Sequence, residues 1–347
     1  MTEEEYKDGL TLAQLAPGPL AAQLGIYIGY VHYRILGATL CGLAFIIPSF
    51  IMVVFIGITY KIFGGLPWMQ AKFYGVGAAV VGIISISSYK LAEKSISKFN
   101  IKFIAQKWML WIFFLFAAII TIITQQEEIL LFVAAGLLYM FVKAPPKWFK
   151  KPSISNSILL FGFGFWDFEL DTPGKIAWFF TKAGAFVFGS GLAIVPFLHS
   201  GVVNEYHWLT EHEFIDAVAV AMVTPGPVVI TVGFIGYLVA GFPGAAVAAL
   251  ATFLPCYLLT ILPAPYLKKY GKHASIKAFV DGITAAVVGA LAGSVIVIAI
   301  RTIKDIPTAL IAIATIIVLL KMKKVKEPHI ILIAAVIGLV LKLLLAA

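Results

Sequence analysis

Two Pro-Gly-Pro triplets, Pro17-Gly18-Pro19 and Pro225-Gly226-Pro227, stand in the middle of apolar runs of this chain. Each proline removes a backbone donor and clashes with the preceding turn, so a helix carrying the triplet must break or kink there. A break at membrane depth leaves amides and carbonyls unpaired, which is tolerated only where protein or a water-filled cavity satisfies them. A helix that restarts after such a break presents free amides and the positive end of its dipole, a ready site for an anion. A single triplet would read more simply as a structural kink. Two copies at corresponding places favour a site for a solute.

Other residues could share that chemistry. Phe188-Gly189-Ser190-Gly191, followed by Pro196, combines a hydroxyl with glycines that allow close backbone approach; the plainer alternative is a small-residue helix crossing. Lys182, in the same apolar run, either supplies positive charge at membrane depth or snorkels to the interface. Gln14 and Gln23 flank the first break, Thr224 and Thr231 the second, and amide and hydroxyl donors suit a dianion with several acceptor oxygens. Asp8 and Asp216 open the segments leading into the breaks, as helix-start residues or as proton-coupling groups. Glu205 and His207 read as loop residues. Cys41 and Cys256 lie inside apolar runs as packing residues, and the six histidines have no metal-ligand spacing. No nucleophile–base pair, metal cluster or phosphate-cradling glycine loop appears, so neither an enzyme nor an ATP-driven pump is indicated, and no cofactor is called for.

The elements that must position these residues are membrane helices. Of 347 residues, 61% are hydrophobic and 12% charged, with a mean hydropathy of +0.99; soluble chains carry about 25% charged residues. The apolar residues fall in blocks near the roughly 20 residues that cross a bilayer. The expected fold is all-α, a polytopic bundle of about eleven candidate membrane segments: 9–31, 35–60, 71–93, 105–124 and 127–143, then 176–200, 214–240, 243–267, 277–300, 306–321 and 328–346. A polar, Pro- and Lys-containing linker over 144–175 separates a first unit, 1–143, from a second, 176–347; its Phe161–Phe168 run is too short to span. The net charge of +9 comes from lysine clusters around 90–107, 143–151, 268–277 and 321–326. That is the pattern of cytoplasmic loops and not of a nucleic-acid surface. The acidic Thr2-Glu3-Glu4-Glu5 opening is not a cleavable signal peptide.

The two units are repeats. Thr2-Glu3-Glu4-Glu5-Tyr6-Lys7-Asp8 matches Thr210-Glu211-His212-Glu213-Phe214-Ile215-Asp216, ahead of the matching triplets. Gly29-Tyr30 matches Gly236-Tyr237, Pro48 matches Pro255, and Ala78-Ala79-Val80-Val81-Gly82 recurs as Ala285-Ala286-Val287-Val288-Gly289. Two-fold internal repeats mark many secondary transporters. The second repeat has a segment, Ile176–Ser200, ahead of its acidic run that the first lacks, so the first repeat reads as missing its opening helix. A simple count of spans would make the repeats parallel. Placing all the lysine clusters on one side instead requires inverted repeats with a re-entrant segment, and the charge pattern favours the inverted arrangement.

In Gln14–Pro19, Gln23–Tyr30, Phe45–Ser49, Phe188–Pro196, Trp208–Glu211, Thr224–Pro227 and Gly241-Phe242-Pro243-Gly244, the chain resembles the chromate ion transporter (CHR) family of long, two-repeat type. The resemblance covers nearly the whole chain. It departs from the family in having Ser190 where the glycine cluster usually reads Phe-Gly-Gly-Gly, and in lacking the first-half Phe-Gly-Gly-Pro helix. It implies a multi-pass carrier of the cytoplasmic membrane that exports chromate, coupled to a proton or other ion gradient. The site residues would be Gln14, Pro17, Gly18, Pro19, Gln23, Lys182, Gly189, Ser190, Gly191, Thr224, Pro225, Gly226, Pro227 and Thr231, with no catalytic or metal-binding group. Rival readings are a carrier of sulfate or another oxyanion, and a non-transporting membrane subunit. The partners expected are the oxyanion, the lipid bilayer and a coupling ion, with a second copy of the chain as a further candidate.

Overall fold

The computed structural model describes residues 3–63, 67–96, 107–125, 128–145, 171–186, 188–189, 191, 194–266, 273–322, 325 and 327–345. Most of the 144–175 linker, its Phe161–Phe168 run and Ser190 lie outside the described residues, and of Asp8 and Gln14 the backbone alone is described. The order is α1 (Glu3–Leu15), β1 (Gly18–Pro19), α2 (Leu20–Phe63), α3 (Pro67–Ser95), α4 (Trp108–Thr124), α5 (Ile129–Lys143), α6 (Thr172–Phe186), β2 (Phe188–Gly189), α7 (Ile194–His199), α8 (Glu211–Val223), α9 (Thr231–Ile261), α10 (Ala274–Thr302), α11 (Ile306–Lys321) and α12 (Glu327–Leu345). Stretches of α2, α3, α9 and α10 are long and apolar enough to cross a bilayer, and α4, α5, α11 and α12 contribute shorter apolar helices. Leu40, Ile51, Phe55, Phe116, Leu250 and Leu310 are exposed on the outside of the bundle, where hydrocarbon replaces water as solvent. The chain is an all-α integral membrane protein.

Three of the expected crossings turn back instead. At the first break α1 returns alongside the start of α2: a Cβ on Gly9 would meet the side chains of Leu24 and Tyr27. With 13 residues, α1 is about 20 Å long, short of a hydrocarbon core of roughly 30 Å. At the third break Tyr60 touches both arms, bonding Asp216 on α8 and lying edge-on to Phe234 on α9. Between them, α6 folds back on α7, so that Phe179 stacks on Phe197 and meets Tyr206 edge-on. The segments 9–31, 176–200 and 214–240 are therefore re-entrant hairpins whose tips are the glycine- and proline-rich motifs.

After each Pro-Gly-Pro hairpin the chain reverses again, part-way along α2 and α9. Tyr33 (φ −133, ψ 20) and Arg34 (φ 54, ψ −140) turn α2, and Ala240 (φ −137, ψ 26) and Gly241 (φ 63, ψ −153) turn α9 in nearly the same way. The arms then press backbone to backbone. A Cβ on Gly29 would lie 2.3 Å from the Gly37 carbonyl, and one on Gly236 2.4 Å from that of Gly244.

The helices bearing the repeated Ala-Ala-Val-Val-Gly, α3 and α10, pack antiparallel. Gly77 faces Thr302 at one end, while Leu91 and Ala92 cluster with Val288 and Leu291 toward the other. Equivalent helices thus run in opposite directions, which is the geometry of inverted repeats. Each is held by the other repeat: α3 lies against α11 and α12 through Gly82–Thr315 and Gly75–Gly338, and α10 against α4 and α5 through Gly289–Phe114 and Gly282–Gly136.

Inversion gathers the charge. Ile96, Leu110, Tyr139 and Ala278 share one cluster, which brings the lysine-bearing end of α3, the start of α4, the end of α5 and the start of α10 together. The bond between Tyr74 and Asp305 joins α3, about two turns from its start, to the cap of α11, and Gly82 meets Thr315 farther along. The two therefore run parallel, and Lys321 falls at the same end. The opposite end holds Glu128, Glu211, Arg301 and Asp305.

Candidate functional site

The tips of two hairpins from different repeats meet inside the bundle. Gly18 pairs with Phe188 and Pro19 with Gly189 in a parallel two-residue ladder. The third tip is tied in by a crossed arrangement. Gly18 (φ 140) lies where a Cβ would be 2.8 Å from the Cys256 sulfur, and Gly226 (φ 137) where one would be 1.8 Å from the Ser49 hydroxyl. Ser49 and Cys256 follow the matched prolines Pro48 and Pro255, so each repeat's break rests on the other's crossing helix. Both φ values lie in a region open only to glycine.

The side chains around the tips mostly serve the breaks. Gln23, fully buried, donates through Nε2 to the carbonyls of Pro17 at 2.8 Å and Ala16 at 3.3 Å. Thr224 donates to Val220 at 2.7 Å and Thr231 to Val228 at 2.6 Å. Gln23 thus reaches carbonyls at the interruption itself, whereas Thr224 and Thr231 add a side-chain bond to carbonyls that already accept their own main-chain amides. The Gln23 Oε1 is buried without a partner among the described residues. The donors of Gln23, Thr224 and Thr231 are thus engaged, and main-chain amides remain at the head of α2 and of the short 3-10 turn Val228–Ile230 that leads into α9.

Of the other expected site residues, Gly189 is in the ladder and Gly191 packs beside Val228 and Val229, next to the third tip. Pro17, Pro19, Pro225 and Pro227 form the breaks themselves. Lys182 turns its ammonium over the Trp178 ring, 5.6 Å from its centroid, one turn back on α6. Gln14 and Ser190 carry no described side chain. Reasoning from sequence missed Ser49 and Tyr60. Ser49 was detectable, since it follows a repeat-matched proline and its counterpart is another small side chain; Tyr60 carries no local signal.

A second polar constellation closes the lysine-poor end. Arg301 donates to Asn204 at 2.7 Å, to Glu211 at 3.3 Å and to the Gln125 side chain. His199, buried, bonds the other Glu211 oxygen at 2.8 Å. Burial alone would raise the Glu211 pKa, but the bonds and charges of His199 and Arg301 together hold it below the usual carboxylate range.

The family model described as chromate transporter matches residues 1–140 and 174–339. The chain belongs to the chromate transporter family. It is 61% identical over 345 residues to a chromate transport protein of Cupriavidus metallidurans, covering 98% of this chain and 84% of that one. It is 54% identical to a probable chromate transport protein of Synechococcus elongatus, over 98% and 86% of the two chains. An uncharacterized transporter of Methanocaldococcus jannaschii matches at 27% identity over 97% of this chain and 85% of its own. No solved structure matches it. These named relatives of the chromate transporter family are transport proteins and not enzymes.

Proposed function

We propose that this chain is a secondary transporter that exports chromate across the cytoplasmic membrane. The dianion binds main-chain amides where the helix breaks of the two repeats meet. The observation that carries this reading is the pairing of Gly18-Pro19 with Phe188-Gly189, in a chain whose relatives are named for chromate transport. Amides at helix heads stabilise a dianion without the desolvation cost of a permanent buried cation. The lysine-rich end faces the cytoplasm by the positive-inside rule. Rocking of one repeat against the other exposes the site to each side in turn; Gln23, Thr224 and Thr231 keep the breaks open, and Lys182 adds positive charge on the approach.

Chromate accumulation in cells expressing the chain tests this. The wild type should lower accumulation, and Pro225→Ala with Gly226→Ala, expressed at the same level, should not. Wild-type efflux from that variant would reject the assigned site. Competition by sulfate, which shares the charge and tetrahedral shape of chromate, measures how far the site distinguishes the two.

A further inference from the structure

Asp216 sits in surroundings that do not fit a helix cap. Capping of α8 is done by Thr210, whose hydroxyl accepts from the Glu213 amide at 3.3 Å while the Glu213 carboxylate accepts from the Thr210 amide at 2.8 Å. Asp216 lies farther into the helix and is 3% exposed. Its Oδ2 accepts a hydrogen bond from Tyr60 at 2.5 Å, and its Oδ1 is buried with no hydrogen-bond partner among the described residues. Tyr60 stands on the crossing arm of α2, so this bond joins one repeat to the other.

A cavity of about 160 Å³ opens beside Asp216 and is shared with Thr302, whose Oγ1 is a second buried oxygen without a partner among the described residues. A water takes roughly 30 Å³ of liquid volume and needs two or more polar partners, so the cavity has both the room and the groups to hold several. Tyr74, Arg301, Lys304 and Asp305 face it from α3, α10 and the connection to α11, with Glu211 and His212 from α8 itself; Glu213 lies near on the same helix. Arg301 is engaged by Asn204, Gln125 and Glu211. The cavity lies at the end opposite the lysine clusters. A lone buried carboxylate costs several kcal/mol at membrane depth, which its neutral, protonated form avoids.

We propose that Asp216 is the proton-binding site that couples transport, loaded by water from the lysine-poor side. A hydronium in the cavity passes its proton to Oδ1, forming the carboxylic acid and leaving water. When the repeats rock and the Tyr60 bond parts, the acid releases that proton toward the other side, so that a proton enters as a dianion leaves. This rests on the transport reading above.

Inside-out membrane vesicles test it. In wild type, acidifying the lumen should stimulate uptake of labelled chromate. Asp216→Asn should lose that stimulation while still exchanging labelled for unlabelled chromate. Stimulation that persists in Asp216→Asn overturns the proposal, and absence of exchange in wild type overturns the transport reading and this one with it. Tyr60→Phe keeps the carboxyl but removes a donor that favours its charged form, so the pH profile of gradient-driven uptake should move to higher pH. If Asp216→Asn loses exchange as well, that profile decides: an upward shift supports the site and an unchanged profile rejects it.

Discussion

The hydroxyl of Ser49 donates to the carbonyl of Pro225 at 2.9 Å, bracing the break of the second repeat with the crossing helix of the first. The reciprocal contact places Gly18 against the sulfur of Cys256. Neither break can then shift without moving the long helix of the opposite repeat. That is a physical route by which the proposed site would couple to the proposed rocking of the two halves, because close-packed contacts transmit small displacements.

Gly226 is where this interlock is least tolerant. Its φ of 137 is reached at low cost only by glycine, and an added Cβ would lie 1.8 Å from the Ser49 oxygen. Gly226→Ala should therefore combine backbone strain of about 1–3 kcal/mol with displacement of Ser49, and lower both thermal stability in detergent and chromate efflux. Adding Ser49→Ala relieves the collision but not the strain, so the double variant should recover only part of the stability. Full recovery would mean that the backbone conformation at Gly226 matters less than its lack of a side chain.

Arg34 presents the opposite case. It holds φ 54 at the turn of α2, where the second repeat uses Gly241 at φ 63. Its guanidinium lies 5.8 Å from the centroid of Tyr30, a contact worth about 0.5–1 kcal/mol at an exposed site. Strain of roughly 1–3 kcal/mol works against it. Arg34→Gly should raise the melting temperature, and a fall would show that the ring contact outweighs the strain.

The membrane class, the breaks and the repeat were legible because they rest on composition and on prolines and glycines that no tertiary contact can override. The hairpins were not. The runs 9–31, 176–200 and 214–240 are apolar from end to end, and local sequence does not say whether a chain interrupted at a proline continues or returns. The inverted order could be argued from lysine placement alone, which the antiparallel α3 and α10 match. The role of Gln23 could not, because the Ala16 and Pro17 carbonyls it reaches come within range only once the chain has broken and turned back. Asp216 was legible as an acid opening the segment that leads into a break; its bond to Tyr60 is a contact between repeats, beyond the reach of any local pattern.

Glu211 makes acid stability testable. Its carboxylate is held below the ordinary range by bonds to His199 and Arg301 that outweigh burial. The stabilisation is therefore full above the ordinary glutamate value of about 4.3 and is lost as pH falls through the lowered value in the folded protein. Glu211→Gln should cost about 1.5–3 kcal/mol near neutral pH, the range for hydrogen bonds to charged groups. The gap from wild type should close on acidification. A gap that stays constant with pH would mean the carboxylate charge is not what holds the network.

The inverted arrangement predicts that two equivalent turns face opposite sides of the membrane. Val31, just before Arg34, clusters with Ala264 at the end that leads into the lysine-bearing start of α10. Tyr237, just before Gly241, lies under Lys61, which is close to the end of α2 and the start of α3. Single cysteines at Arg34→Cys and Gly241→Cys, in a chain also carrying Cys41→Ala and Cys256→Ser, place a thiol at each turn. In intact cells a membrane-impermeant maleimide should label Gly241→Cys, while Arg34→Cys should react only after permeabilisation, because the positive-inside rule puts the lysine-rich end in the cytoplasm. Labelling of Arg34→Cys alone would reverse the absolute orientation but keep the inversion. Labelling of both from one side would contradict the antiparallel packing of α3 against α10 and, with it, the crossing of the two repeats on which the site depends.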